Sequence, residues 1–160
     1  MSAPNQPNAL LRADAIAALP TFPFSHPLNP QSEIHLRSLS AMTGLQRLGI
    51  SIGRVPPGKE SFVYHFHHTE EEFIYILSGR GVAEIGDEAF EVGPGDFMGF
   101  TAPSVGHHLR NPFDQDLVYL MGGEHRDIEI GEFPRHGKRV VRSREQSHLV
   151  DDAGLEPVFR

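Results

Sequence analysis

The sequence predicts an all-β fold, a sandwich or barrel with little helix, and three observations carry that reading. Its 160 residues hold 13 prolines and 16 glycines spread along the chain, as many short elements joined by tight turns require. From residue 33 onward the hydrophobic period is two, the period of a strand. Turn signals recur about every 8 to 12 residues, and no long helical period or internal repeat interrupts them. The length suits one domain with a core large enough to be stable alone.

Residues 1–9 are small and polar and are expected to be disordered. "ADAIAALP" predicts a short helix with Asp14 as its cap, stopped by Pro20. The three prolines of "TFPFSHPLNPQS" break ladders and helices alike, so residues up to 32 are read as an extended arm anchored by Phe22 and Phe24. The barrel is expected over 33–133. "EIHLRSLS" alternates, with Ile34 and Leu36 on one face, and "LQRLGISIGRV" puts Leu48, Ile50 and Ile52 on one face. "SFVYHFHH" (61–68) reads as one strand and "EFIYILSG" as the next. "GVAEIGDEAFEV" reads as a hairpin turning at Gly86-Asp87. "FMGFTAP", "HHLRN" and "LVYLMGG" follow as strands. Residues 134–160 are read as a C-terminal extension, in which Arg135 to Arg144 hold five of the fourteen basic residues.

Composition excludes several classes. A net charge of −7 leaves no basic balance to pair with phosphates, so no nucleic-acid partner is expected. The absence of cysteine excludes disulfides and thiolate metal sites. No basic start followed by an apolar core marks a secretory signal, and no apolar run approaches the roughly 18 residues of a membrane span, so a cytoplasmic location without a membrane partner is expected.

The chemistry concentrates in "YHFHHTEEEF", residues 64–73. In a strand, His65 and His67 share a face while Phe66 points away, which places two imidazoles side by side. Glu72 opens the following strand and can swing back over that face. These three begin a metal site but leave a divalent ion under-coordinated, so a further donor is expected from a distant strand, with "GHHLRN" (106–111) on offer. His68 is read as outward or as a neighbour of the ligands, and Glu70 and Glu71 as a solvated turn. His26, His35, His125, His136 and His148 have no partner pattern and are read as surface or structural.

The segment from Pro57 to Gly79, PGKESFVYHFHHTEEEFIYILSG, resembles the first motif of the cupins: glycine, His-x-His, a short gap, Glu, six residues, Gly. "APSVGHHLRN" is similar to the second motif, with His107 standing four before Asn111, although the usual Pro-x-Gly-x-x-His spacing becomes Pro103-Ser-Val-Gly106-His107. The resemblance covers roughly residues 45–122. It implies a cupin-type double-stranded β-helix, a jelly-roll barrel, with metal ligands His65, His67, Glu72 and His107 inside it. Within the family, "HHTEEEF" and "EFPRHGKRVV" look like a small single-domain subgroup whose members are often labelled sugar-phosphate isomerases by inference.

Three imidazoles and one carboxylate suit a divalent iron, manganese, nickel or zinc ion, with open positions for a small oxygenated ligand such as a sugar, a sugar phosphate or a keto acid. A metal-dependent isomerase or dioxygenase, a non-catalytic ligand-binding or sensory cupin, and a barrel merely clipped together by metal all fit these residues. No catalytic residue is assigned; Glu84 and Tyr119 are candidate bases by position only. Val63, Ile74, Ile76 and Met98 are expected to wall the site. Tyr64, Phe66, Phe73 and Tyr75 should face the other way, in a row that predicts a homodimer. Arg110 is read as an ordinary surface charge, with a place near the mouth as the alternative, and the basic segment as a solvated face that is also the concentrated supply of cations for any phosphate.

Overall fold

The structure, a computed structural model, describes residues 8–159. All but the last two residues of the stretch expected to be disordered lie outside that range. Helix α1 (Ala13–Ala18) forms where expected and buries no side chain. Arg12, not Asp14, is its N-cap; Asp14 sits in the first turn and accepts the Ala15 N–H at 2.9 Å. A one-turn helix α2 (Ser40–Thr43) interrupts the alternation read through Ser40, and Gly44 closes it at φ 75°.

Three antiparallel sheets make up the rest. Six strands form the first, in the order β1 (Phe22–Phe24), β2 (Ile34–Ser38), β3 (Leu48–Val55), β11 (Leu117–Glu124), β6 (Glu72–Ser78) and β9 (Phe97–Phe100). The second runs β4 (Lys59–Glu60), β10 (His107–Asn111), β7 (Gly81–Ile85) and β8 (Glu88–Val92). The third runs β14 (Gln146–Asp151), β13 (Lys138–Ser143), β12 (Ile128–Phe133) and β5 (Phe66–His67). The first two sheets enclose the core: Ile34, Val55, Ile76, Leu117 and Tyr119 from one meet Ala83, Val92 and Leu109 from the other. These inward residues alternate along their strands, which is why the two-residue period was legible.

Two elements, the arm and the strand 61–68, depart from expectation, and the structure adds detail on β3 and on residues 134–160. Part of the arm is regular: β1 pairs with β2, Pro23 opposite His35. Pro23 is tolerated because β1 is an edge strand, where a missing N–H breaks no ladder. On β3, Leu48, Ile50 and Ile52 do share a face, but it is the outer one; Gly53 and Val55 are the buried residues. The segment 134–160 contributes β13 and β14, and β13 pairs with β12 along its whole length. The predicted strand 61–68 is broken. His65 bridges to His107, whereas Phe66 and His67 pair with β12.

The turn between β6 and β7 depends on Gly79. Its φ is 79°, and a Cβ there would lie 2.1 Å from the Asp116 carbonyl oxygen, so only glycine lets the two backbones approach. The outer face of the six-stranded sheet is apolar across four strands, with Leu48 and Ile50 of β3, Leu120 of β11, Phe73, Tyr75 and Leu77 of β6 and Phe97 of β9 on it. Phe73 and Phe97 stack there at 5.8 Å. Among the described residues no helix is long and apolar enough to cross a membrane.

Candidate metal centre

The break in the 61–68 strand brings the histidines together. His65 and His107 exchange backbone hydrogen bonds across β10 at 3.1 and 2.8 Å, which sets their imidazoles side by side, ring centres 4.6 Å apart. One step later the chain joins β12, and His67 follows on the same side, 5.1 Å from the His65 ring. Phe100 of β9 stacks flat on His107 at 3.7 Å and fixes its plane. Glu72, at the start of β6, faces all three.

Every Nε2 points at one atom. Glu72 Oε1 lies 3.7 Å from His65 Nε2, 3.6 Å from His67 Nε2 and 2.6 Å from His107 Nε2. The other ring nitrogens decide the protonation. Nδ1 of His65 donates to the Val63 carbonyl at 2.7 Å, and Nδ1 of His107 to the Val105 carbonyl at 3.2 Å. Nδ1 of His67 donates to the Glu129 carboxylate at 3.3 Å. Those partners only accept, so each neutral ring carries its proton on Nδ1 and its lone pair on Nε2. Glu72 Oε1 is buried and has no hydrogen-bond partner; the close approach of His107 lacks hydrogen-bond geometry. With the rings neutral, three lone pairs and a carboxylate oxygen crowd one point, an arrangement that a cation relieves.

Two of its groups keep their donor form in mild acid. Burial, helped by His107, holds His65 at about 3. Burial pushes Glu72 up, but attraction to the imidazoles in their protonated form, His107 foremost, outweighs it and holds it at about 2. His65, His67 and Glu72 offer atoms all within 4.8 Å of one another, and His107 joins them through Glu72.

A carboxylate that the sequence reading missed braces this group. Glu129 of β12 is 3% exposed, while its neighbour Ile128 is 69% exposed, the reverse of the usual apolar-in pattern. Besides His67, Glu129 accepts the His68 N–H at 2.9 Å, the Thr69 N–H at 3.1 Å and the Thr69 hydroxyl. Glu70, expected in a solvated turn, is also buried; it accepts the Arg126 N–H at 2.5 Å and the Arg142 guanidinium. His67, Glu70 and Glu129 form a second close trio. Its carboxylates are already engaged by these donors, so it reads as a brace for the loop rather than an ion site.

The four residues open on a cavity of about 260 Å³, walled by Phe62, Val63, Ile74, Leu109, Met121, Phe133 and Val140. Of the wall expected from sequence, Val63 and Ile74 are there, whereas Ile76 and Met98 lie in the core. His26, read as surface or structural, lines the cavity. Tyr119 lines it too, but burial raises its hydroxyl far above the usual phenol range, which makes it a poor base. Glu84 and Arg110 line a separate cavity, so neither stands at this one. There Glu84 pairs with Arg135 at 2.8 Å and Arg110 at 3.3 Å. His108 faces that side, 3.5 Å from both Glu60 and Glu84. Four of the five basic residues of 135–144 are paired with carboxylates: Arg135 with Glu84, Lys138 with Asp151, Arg139 with Asp152 and Arg142 with Glu70. The aromatic row is split: Phe66 stacks on His68, and Arg135 covers the Tyr64 ring at 3.8 Å.

An antiparallel jelly-roll with three imidazoles and a carboxylate converging in an apolar cavity defines a class, the small β-barrel with a centre fit for a divalent metal. Residues 51–123 match the Cupin domain, and the chain belongs to the cupin family. The "Putative sugar phosphate isomerase" of Acidithiobacillus ferrooxidans is 34% identical; the likeness covers 95% of this chain and 97% of that one, with a TM-score of 0.90. The sugar phosphate isomerase of Silicibacter pomeroyi, at 22% identity, shares the fold with a TM-score of 0.80 over 91% of this chain and 94% of that one. An uncharacterized protein of Methanocaldococcus jannaschii is 37% identical over 80 residues, 48% of this chain and 62% of that protein. The chain therefore spans less than two thirds of the curated relative it matches.

Proposed function

We propose that this cupin holds one divalent metal ion through His65, His67, Glu72 and His107 and binds a small oxygenated molecule at it. The observation that carries this reading is the convergence of three Nε2 lone pairs on the unpartnered Glu72 Oε1. When bound, the ion supplies Lewis acidity and open positions for ligand oxygens. The chain's own part is to orient four donors, exclude water with the apolar wall, and admit only a small ligand.

None of the residues lining the cavity is Lys or Arg. A phosphate would find no side-chain cation there, so the wall favours a keto acid or other small carboxylate over a sugar phosphate. The name of the Acidithiobacillus relative supports the second reading. In this chain two cations, Arg110 and Arg135, line the neighbouring cavity, which shares Val63 and His108 with this one, and both are engaged by Glu84. Elemental analysis of the protein and of the His65→Ala/His67→Ala double variant tests the metal: about one ion per chain is expected in the first and none in the second, and equal content ends the assignment. Calorimetry with keto acids against sugar phosphates then separates the two ligand classes.

A second copy of the chain is proposed as the partner on the outer sheet face. Phe97 is 65% exposed and Leu77 43% exposed on a face apolar across four strands. A two-fold contact needs a surface that matches itself, and non-directional apolar contact allows that. Light scattering should give twice the chain mass for the wild type and a monomer for Phe97→Glu; a monomeric wild type at micromolar concentration overturns it.

A further inference from the structure

We propose that His26, carried on the N-terminal arm, contacts the ligand of this cavity by donating its Nε2–H to an oxygen of a small carboxylate or 2-oxo acid. This rests on the reading of the cavity as a metal centre. His26 comes from a different element than the four converging residues, yet it lines the same cavity. The arm is fixed there by a closed set of hydrogen bonds. The His26 N–H donates to Ser32 Oγ at 3.0 Å, and the His26 carbonyl accepts the Asn29 N–H at 3.0 Å. Asn29 Nδ2 ties the turn to Glu60 at 2.9 Å and to the Phe62 carbonyl at 2.8 Å.

The ring is fixed as well as the backbone. Its edge meets Phe133 at 5.0 Å and Phe24 at 6.2 Å. Nδ1 accepts the Leu28 N–H at 3.2 Å, so the neutral ring bears its proton on Nε2, opposite in tautomer to the three rings facing Glu72. Burial, with His136 nearby, lowers its pKa and keeps the ring neutral near pH 7. Its Nε2 makes no hydrogen bond to the described residues. A ligand that coordinates the ion through one oxygen would thus meet, for another of its oxygens, an N–H donor fixed before it arrives, in a wall that is otherwise mostly apolar. Nothing in the sequence pointed to His26, because its only neighbours in the chain are arm residues with no chemistry of their own.

The test uses full-length protein loaded with zinc and oxalate and pyruvate as probes, with affinity measured by calorimetry and metal content by elemental analysis. His26→Phe keeps an aromatic ring between Phe24 and Phe133 but removes the N–H; His26→Gln returns an N–H at similar reach. Expected are unchanged metal content in both variants, about 10- to 100-fold weaker probe binding in His26→Phe, and recovery of most of that loss in His26→Gln. Unchanged affinity in His26→Phe overturns the assignment, as does equal weakening in both variants, which would mark a packing role. A metal-loaded wild type that binds neither probe overturns it while leaving the metal centre standing. A wild type that takes up no metal overturns the metal reading and this assignment together.

Discussion

Replacing Glu129 by Gln changes one atom and separates two roles of that residue. The carboxylate accepts from His67 Nδ1, His68 N, Thr69 N and the Thr69 hydroxyl, and it is almost wholly buried. Gln keeps one oxygen, which still serves His67 and His68. Its NH₂ then faces the Thr69 N–H, donor against donor; the hydroxyl can turn to accept, but the backbone N–H cannot. Thr69 is itself exposed and this hydrogen bond only partly buried, so leaving the N–H unpaired costs at the low end of the range for such groups, about 1 kcal/mol. In a domain of this size that is a fall in Tm of roughly 2–4 °C. Separately, His67 exchanges a charged acceptor for a neutral one and loses part of what fixes its tautomer, so metal affinity should drop about 10- to 100-fold. Thermal melting of metal-free protein reads the first effect, and competition with a chelator of known zinc affinity reads the second. A lower Tm with unchanged zinc affinity would refute the claim that Glu129 orients His67 and leave it as a loop brace alone.

Three further outcomes are expected. Gly79→Ala should destabilise the protein by about 3 kcal/mol, through the φ of 79° and the clash with the Asp116 carbonyl, and urea unfolding should show the midpoint fall; a loss under about 0.5 kcal/mol refutes the close approach. His107→Ala should lose the metal and His108→Ala keep it, because adjacent strand residues face opposite sides and only His107 meets Glu72; the converse content by elemental analysis means the register is off by one. The metal-free protein should weaken in acid. His65 binds its proton near 3 when folded but near 6.5 when unfolded, so across that window unfolding takes up a proton and stability rises with pH by about 1.4 kcal/mol per unit. Going from pH 6.5 to 5 should therefore cost about 2 kcal/mol, and a His65→Phe variant with the same pH slope would contradict it.

The sequence by itself determined the sheet. Ile34, Ile76, Leu109 and Tyr119 alternate with outward residues because strand side chains do, and that period survives without any knowledge of partners. The His-x-His spacing was legible from the same period, but the strand that carries it is broken, and the convergence of both rings with Glu72 of β6 is set by pairing with β10 and β12. Other assignments needed the partner strands. Whether Leu48, Ile50 and Ile52 face in or out depends on which side of the sheet the second sheet covers, and a period of two is blind to that. The buried Glu129 beside the exposed Ile128 inverts local preference; it is stabilised only by donors about sixty residues away in the chain. His26 reached the cavity through hydrogen bonds from its arm to β4 and its flank, a long-range event that left no periodic mark. Strands announce their own faces, but what lies opposite each face is fixed by non-local pairing, and there the tertiary structure alone decided.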